Sequence, residues 1–302
     1  MSTSSCRLDC AATDTARTRS RTQSTPMIFF NHYWDGVPES PRWPKDKPLY
    51  LMPNIEMIEL TPSHYWGVGA VLCKTHVCYD RVTRWYAENG NPRNAKVCYT
   101  KHTSSDQAEF ARRRLGDDSI APKEFLRSSI SAFNYLFHPS YKRKLDRARS
   151  PIHIEHGMLT PQDFSKLTAE SAFFMCPSWS EGYGHYINQA RASGGVVITT
   201  DAHPMNELIV SNEMGVLVPA RYQHDPKMLL GGKFRGEHGL KDPDDLLMRY
   251  NSRGLCNAVR DFISSTTPEQ RATMGARARQ QYHEDTKYFA RSMRELREFA
   301  RT

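Results

Sequence analysis

The chain has 302 residues, 39% hydrophobic and 25% charged, with a formal net charge of +8. That apolar content can bury a sizeable core and excludes a wholly disordered protein. Mean hydropathy is −0.65, and no apolar run approaches the roughly 18 residues of a membrane span, so no transmembrane helix is expected.

The basic excess concentrates at Lys142, Arg143, Lys144, Arg147 and Arg149, and again between Arg271 and Arg301. Such a balance suits an anionic partner: nucleic acid, a lipid headgroup or a phosphorylated small molecule. Helical i,i+4 pairing with Glu269, Glu284, Asp285, Glu295 and Glu298 accounts for the C-terminal charges without any partner. No nucleic-acid recognition motif accompanies the charge, so nucleic acid is not an expected partner. Peripheral contact with a membrane stays open. The seven cysteines, at 6, 10, 73, 78, 98, 176 and 256, form no CxxC pair. Their odd count and their placement in apolar runs argue against a zinc site or a disulfide framework, and a reducing, cytoplasmic location is expected.

Residues 1–26 are rich in Ser, Thr and Arg and lack the apolar segment of a secretory signal. Arg7, Arg17, Arg19 and Arg21 suit an organelle transit peptide, Asp9 and Asp14 count against one, and a disordered tail is the reading adopted. A partial N-terminal domain is expected over 27–110. Within it, Leu49–Met52 and Val68–Cys73 read as strands, Tyr79–Asn89 as a helix stopped by Asn89-Gly90-Asn91-Pro92, and Lys96–Thr100 as a strand. Strand, helix and strand in that order normally close as a right-handed parallel unit. Residues 111–130 read as a linker. A second domain is expected over 131–270 and a C-terminal helix over 271–302.

In the second domain Phe133–Phe137 and Ile152–Glu155 are strand candidates. Thr160 caps a helix, with Pro161 and Asp163 in its first turn. Then come a strand at Ala172–Cys176, a loop at Pro177–Gly184 and a helix at His185–Ser193 closed by Gly194-Gly195. A strand at Val196–Thr200, a short helix at Pro204–Val210 and a strand at Val216–Val218 follow. Regular alternation argues a parallel sheet with helices on both faces, an α/β doubly wound architecture.

One passage carries chemistry: Cys176-Pro177-Ser178-Trp179-Ser180-Glu181-Gly182-Tyr183-Gly184-His185, continuing Tyr186-Ile187-Asn188-Gln189-Ala190. A buried strand ends, the chain turns through two glycines, and a helix starts. Ligands of open parallel sheets lie beyond the carboxyl ends of the strands, and a helix start suits a phosphate. Gly182 and Gly184 let backbone approach a ligand, and Glu181 at the strand tip suits sugar hydroxyls. A second unit, Asp201-Ala202-His203-Pro204-Met205-Asn206-Glu207, places another carboxylate beside the first.

The order PSWSEGYGHYINQA, GGVVITTDAHPMNELI, MGVLVP resembles the donor-binding half of family 4 glycosyltransferases, which have the two-Rossmann GT-B fold. The likeness covers about residues 152–219, with weaker similarity at Tyr99–Phe110 and in the late helices. It implies an abbreviated N-terminal Rossmann-like acceptor domain, a C-terminal nucleotide-sugar domain, and C-terminal helices crossing back. It further implies transfer of a hexose from a nucleotide-diphosphate sugar to a glycan, lipid or protein acceptor, with retention of configuration, no cofactor and no metal. On this resemblance Glu181 meets the sugar and His185 faces its reactive end. Gly182, Tyr183 and Gly184 form the donor loop, and Gln189 takes the ribose position, where the family carries Glu. Glu207, with the Met205-Asn206 backbone, lies by the diphosphate. Lys142 stands where the family's glycine-rich loop supplies cations. Lys74 and His76, just past a strand tip, face the acceptor side of the cleft.

This chain departs from the family at Gln189, in the absence of a glycine-rich loop around Phe137–Lys144, and in the shortness of its first domain. These departures keep a second reading open: a catalytically degenerate protein that binds sugar nucleotides.

Overall fold

The computed structural model describes residues 25–31, 37–38, 40–44, 47–57, 59–128, 159–223 and 246–301. The expectations for Phe133–Phe137, for Ile152–Glu155, for Lys142 and for the tail before residue 25 lie outside them.

Two four-stranded parallel sheets organise the molecule. The first runs β1 (Met27–Asn31), β2 (Leu49–Pro53), β3 (Ala70–Cys73), β4 (Lys96–Tyr99), in that spatial order. Tyr50 pairs with Ala70 and Val71 with Val97. Every residue of β2 and β3 is buried, as befits central parallel strands covered on both faces. Side chains alternate. Leu49, Leu51, Val71 and Cys73 enter one core, with Cys78, Val82 and Tyr86 of helix α2 (His76–Asn89); Tyr50, Met52, Ala70, Leu72 and Cys98 enter another. A one-turn helix, α1 (Pro62–Tyr65), precedes β3. Helix α2 starts three residues earlier than the sequence predicts, because the Thr75 hydroxyl accepts the Cys78 N–H and nucleates the first turn.

The second sheet runs β5 (Lys123–Ser128), β6 (Ser171–Cys176), β7 (Val196–Asp201), β8 (Gly215–Pro219). The stretch read as a linker is therefore structured: it holds the end of helix α3 (Gln107–Leu115) and the whole of β5. Ala108, Ala111 and Ile120 pack on Ala169 of α4 (Pro161–Glu170). Thr160 caps α4 as the sequence predicts, accepting the Asp163 N–H. Helix α5 (His185–Ser193) and the single turn α6 (Met205–Leu208) follow β6 and β7. A small antiparallel ribbon, β9 (Arg221–Tyr222) with β10 (Met248–Arg249), leads to α7 (Ser252–Ser265).

The last helix, α8, spans Pro268–Phe299, 32 residues opened by a complete Thr267/Gln270 capping box. Its first half packs on the second sheet's side through Ala278. Its last turns bring Phe289, Met293, Leu296 and Phe299 onto the far face of the first sheet. The C-terminal helix thus crosses back to the N-terminal half.

Candidate active site

The carboxyl ends of strands from both sheets meet in one cleft. From the first sheet, β2 delivers Asn54 and Glu56, β3 delivers Lys74–His76, and β4 delivers Lys101 and His102. From the second, β6 delivers Ser178–Gly184 and β7 the turn carrying Asn206 and Glu207. Contacts across the cleft are direct. Glu207 accepts the N–H of His76 at 2.7 Å and of Val77 at 3.2 Å. Tyr183 donates its hydroxyl to the His102 carbonyl at 2.7 Å, and His185 Nδ1 lies 2.9 Å from Ser104 Oγ.

Glu181 is partly buried at the tip of β6. Burial raises its carboxyl above the ordinary range, while hydrogen bonds from Tyr186 and Ser178 partly offset the shift. Beside it, Gly182 leaves room for Glu56: a Cβ there would overlap both carboxylate oxygens of Glu56, whose side chain would have to move aside. Gly184 has φ +88° as N-cap of α5, a conformation that favours glycine.

Glu207 is more engaged than the sequence suggests. Besides the two α2 amides it faces His203, whose Nδ1 is 3.4 Å away. The hydrogen bond to Glu207 is the main cause of the raised His203 pKa, with burial acting the other way. Asn206 donates to Asp201 at 3.2 Å, while its own Oδ1 is buried without a hydrogen-bond partner. Met205 turns its side chain into the second core.

The acceptor-side candidates sit where the sequence places them, past β3. Lys74 is buried and donates to Asn54 Oδ1, and burial lowers its pKa despite the attraction of Glu56. The His76 ring stacks on Tyr99 with centroids 3.8 Å apart. His185 is exposed, its ring 5.1 Å from His102 and 5.2 Å from Tyr183. Desolvation and then Lys74 lower the pKa of His185. The same causes, with His185 added, press His102 down to about 4, so it is neutral at physiological pH.

Gln189 lies on the opposite side of α5's first turns. It lines a cavity of about 90 Å³ with Phe164, Thr168, Phe174, Cys176, Tyr186 and Ala190. Tyr186 touches both this cavity and Glu181, so the two are adjacent. Lys142 falls outside the described residues.

A buried ion pair fixes the frame. Arg191, fully buried on α5, bonds Asp285 of α8 at 2.5 Å, Asn188 at 2.5 Å and the Leu208 carbonyl at 3.0 Å. Lys101 joins Asp285 from the β4 end. Burial acts to raise the Asp285 pKa, but Arg191 and Lys101 outweigh it and hold the carboxylate ionised. Tyr282 and Tyr288 of α8 donate to the carbonyls of Ser104 and Tyr99, so the crossing segment is tied along its length.

Sequence reasoning did not single out Glu56, and it gave no role to Ser180 or His102, which it met only within longer passages. Each follows a strand end, the criterion that selected Lys74 and Glu181; applied to β2 and β4 it finds Glu56 and His102 as well.

Two facing α/β halves bridged by a returning C-terminal helix have the GT-B architecture. Residues 138–229 match the family model described as Glycosyl transferases group 1. Solved structures agree on the fold. The GtfA/B complex is 14% identical with TM-score 0.56, covering 85% of this chain and 54% of that one. A glycosyltransferase from Rickettsia africae is 12% identical with TM-score 0.54, covering 90% and 76%. Sucrose-phosphate synthase from Thermosynechococcus elongatus is 10% identical with TM-score 0.52, covering 85% and 69%. The chain thus spans about half the length of the GtfA/B chain it matches. No curated protein matches the sequence. Among the described residues no helix is long and apolar enough to cross a membrane.

Proposed function

We propose that this chain transfers a hexose from a nucleotide-diphosphate sugar to an acceptor with retention of configuration. The observation that carries the reading is the convergence of five strand ends on one cleft, with Glu181, Gly182 and the start of α5 on its second-domain wall. In the step proposed, the acceptor hydroxyl oxygen bonds the anomeric carbon as the bond from that carbon to the diphosphate breaks. The hydroxyl proton passes to the departing diphosphate. Negative charge grows on the diphosphate, and helix-start amides and cationic side chains stabilise it there better than water does. The reading assigns this task to protein groups and to no metal, so a chelator should leave turnover unchanged.

Within this reading Glu181 holds sugar hydroxyls and His185 lies at the reactive end. Gly182, Tyr183 and Gly184 shape the loop, and Gln189 with Tyr186 meets the ribose through the adjoining cavity. Asn206 and Glu207 border the diphosphate; Lys74 and His76 face the acceptor. The pneumococcal O-GlcNAc transferase GtfA, solved with UDP and GlcNAc, shares the fold at TM-score 0.51 and 11% identity. That makes uridine nucleotides the first donors to try. The buried cysteines Cys73, Cys78, Cys98 and Cys176 are not joined in disulfides, which supports a cytoplasmic location.

The test is transfer or donor hydrolysis by the purified chain with a panel of nucleotide sugars. Glu181→Ala is expected to cut kcat/KM by on the order of 10²-fold; full activity in that variant removes the central assignment. A degenerate binder is the second reading, favoured by Gln189 and by the engagement of Glu207 with the α2 amides. Nucleotide-sugar binding without turnover supports it.

A further inference from the structure

We propose that Glu56 and His102 of the N-terminal half, with Ser180 facing them from the second half, form a hydroxyl-binding set that grips the donor's sugar and selects a neutral, multiply hydroxylated ring. This rests on the sugar-donor reading above and adds Glu56, which lies outside the motifs carrying it, with a role for Ser180 inside the loop motif and for His102 in the weaker Tyr99–Phe110 stretch.

The starting point is an accounting of buried polar atoms. Almost all such atoms in folded proteins find partners, so those that do not mark sites completed by something else. Glu56 Oε2, His102 Nδ1 and Ser180 Oγ are buried without hydrogen-bond partners. They are not scattered. Both Glu56 carboxylate oxygens abut Gly182, two residues beyond Ser180. The His102 ring lies 5.1 Å from that of Tyr183, the next residue. Lys74 acts electrostatically on both Glu56 and His102. Three unfilled positions thus ring one loop, in the cleft where strand ends converge.

Their chemistry names the ligand class. A carboxylate accepts, a serine hydroxyl donates and accepts, and a neutral imidazole nitrogen does one or the other. Ring hydroxyls, each a donor and an acceptor, complement all three; a phosphate offers acceptors only and would leave Glu56 repelled. Burial raises the Glu56 carboxyl to about 7, assisted by Glu181 and opposed by its own backbone bond and Lys74. Near neutrality it therefore presents both an acceptor form and an O–H donor form to a hydroxyl. Two carboxyls close enough to raise each other's cost of ionisation also disfavour a third, so a uronic acid should be a poor occupant.

The experiment compares a nucleoside diphosphate with its sugar conjugates, using calorimetry on the full chain with UDP, UDP-glucose and UDP-glucuronate, and with GDP and GDP-mannose in parallel. Wild type should bind a neutral conjugate more tightly than the parent diphosphate. Glu56→Ala should weaken the conjugate about tenfold and leave the diphosphate within about twofold, because only hydroxyl contacts are lost. Glu56→Gln should restore part of the difference, and discrimination against glucuronate should relax in Glu56→Ala. Ser180→Ala, a milder change, should reduce the same increment if Glu56→Ala fails to fold. An unchanged increment in a folded Glu56→Ala protein overturns the proposal but leaves the donor reading standing. Tighter conjugate binding in that variant also overturns it, making Glu56 a plug. Absence of nucleotide binding by wild type overturns both readings.

Discussion

Glu207, on the second half of the molecule, caps a helix of the first: its two carboxylate oxygens accept the His76 and Val77 amides at 2.7 and 3.2 Å. The first amides of α2 have no intrahelical partner, and the helix start carries partial positive charge, so an anion there is stabilising. Thr75 meets the Cys78 amide, and Glu207 meets the two before it. Glu207→Ala should therefore lower unfolding stability by about 1–2 kcal/mol, with hydrogen exchange accelerated at His76 and Val77. An unchanged exchange rate at those two amides would show that the bonds do not persist in solution.

Glu56 should make stability fall with rising pH. Its folded pKa, about 7, lies above the ordinary carboxylate value of 4.5. Between those values the folded state binds more protons than the unfolded one, so its stabilising contribution is complete below pH 4.5 and fades as pH rises through 7. Glu56→Gln removes the cost of ionising a buried carboxyl, less the attraction it loses to Lys74. The variant should gain up to about 2–3 kcal/mol over wild type at pH 8.5 and little at pH 4.5. Thermal melts at the two pH values check this; equal shifts at both would place the titration elsewhere.

The Arg191–Asp285 pair should be costly to break from one side only. Arg191 is fully buried, with 0% side-chain accessibility, and Asp285 has 5%. Asp285→Ala strands a buried guanidinium and should cost about 3–5 kcal/mol. Removing both charges with apolar residues of similar volume should recover most of that loss. Denaturant titrations of the two single variants and the double variant measure the coupling, and additive losses would contradict it.

Gly275 marks where α8 presses on the turn between α5 and β7. A Cβ there would overlap the Gly194 carbonyl oxygen, which is backbone and cannot rotate aside. Gly275→Ala should destabilise by about 1–3 kcal/mol despite alanine's better helix propensity. A gain in melting temperature would show that the helix can shift outward at no cost.

How much of this was legible in the sequence depends on the range of the interactions involved. β2, β3, β6 and β7 announce themselves as short apolar runs because a central parallel strand is buried on both faces. The Thr160 cap and the Gly194 stop are local chemistry and stand where expected. Glu181 and the loop after it could be singled out because a strand end, two glycines and a helix start follow one another directly in the chain. β5 was hidden, its Lys-Glu-Phe-Leu-Arg-Ser sequence giving little apolar signal. Glu56 was hidden for a different reason. Its carboxylate lies against Gly182, 126 positions away in the chain, and no local pattern encodes such a meeting. Likewise Glu207 reads as an ordinary first-turn carboxylate until the other half of the molecule arrives.

Helix α8 belongs to both halves at once, and that constrains any breathing of the cleft. At 1.5 Å per residue its 32 residues form a rod about 48 Å long. One end is wedged against Gly194, and Leu296 and Phe299 are seated on the first sheet. Widening the cleft would have to flex this shared rod, or unseat its final turns, because both halves are packed on it. Between those ends, Lys101 and Asp285 join chain and rod by charge. A ligand gripping both walls would therefore be working against the stiffness of one continuous lever.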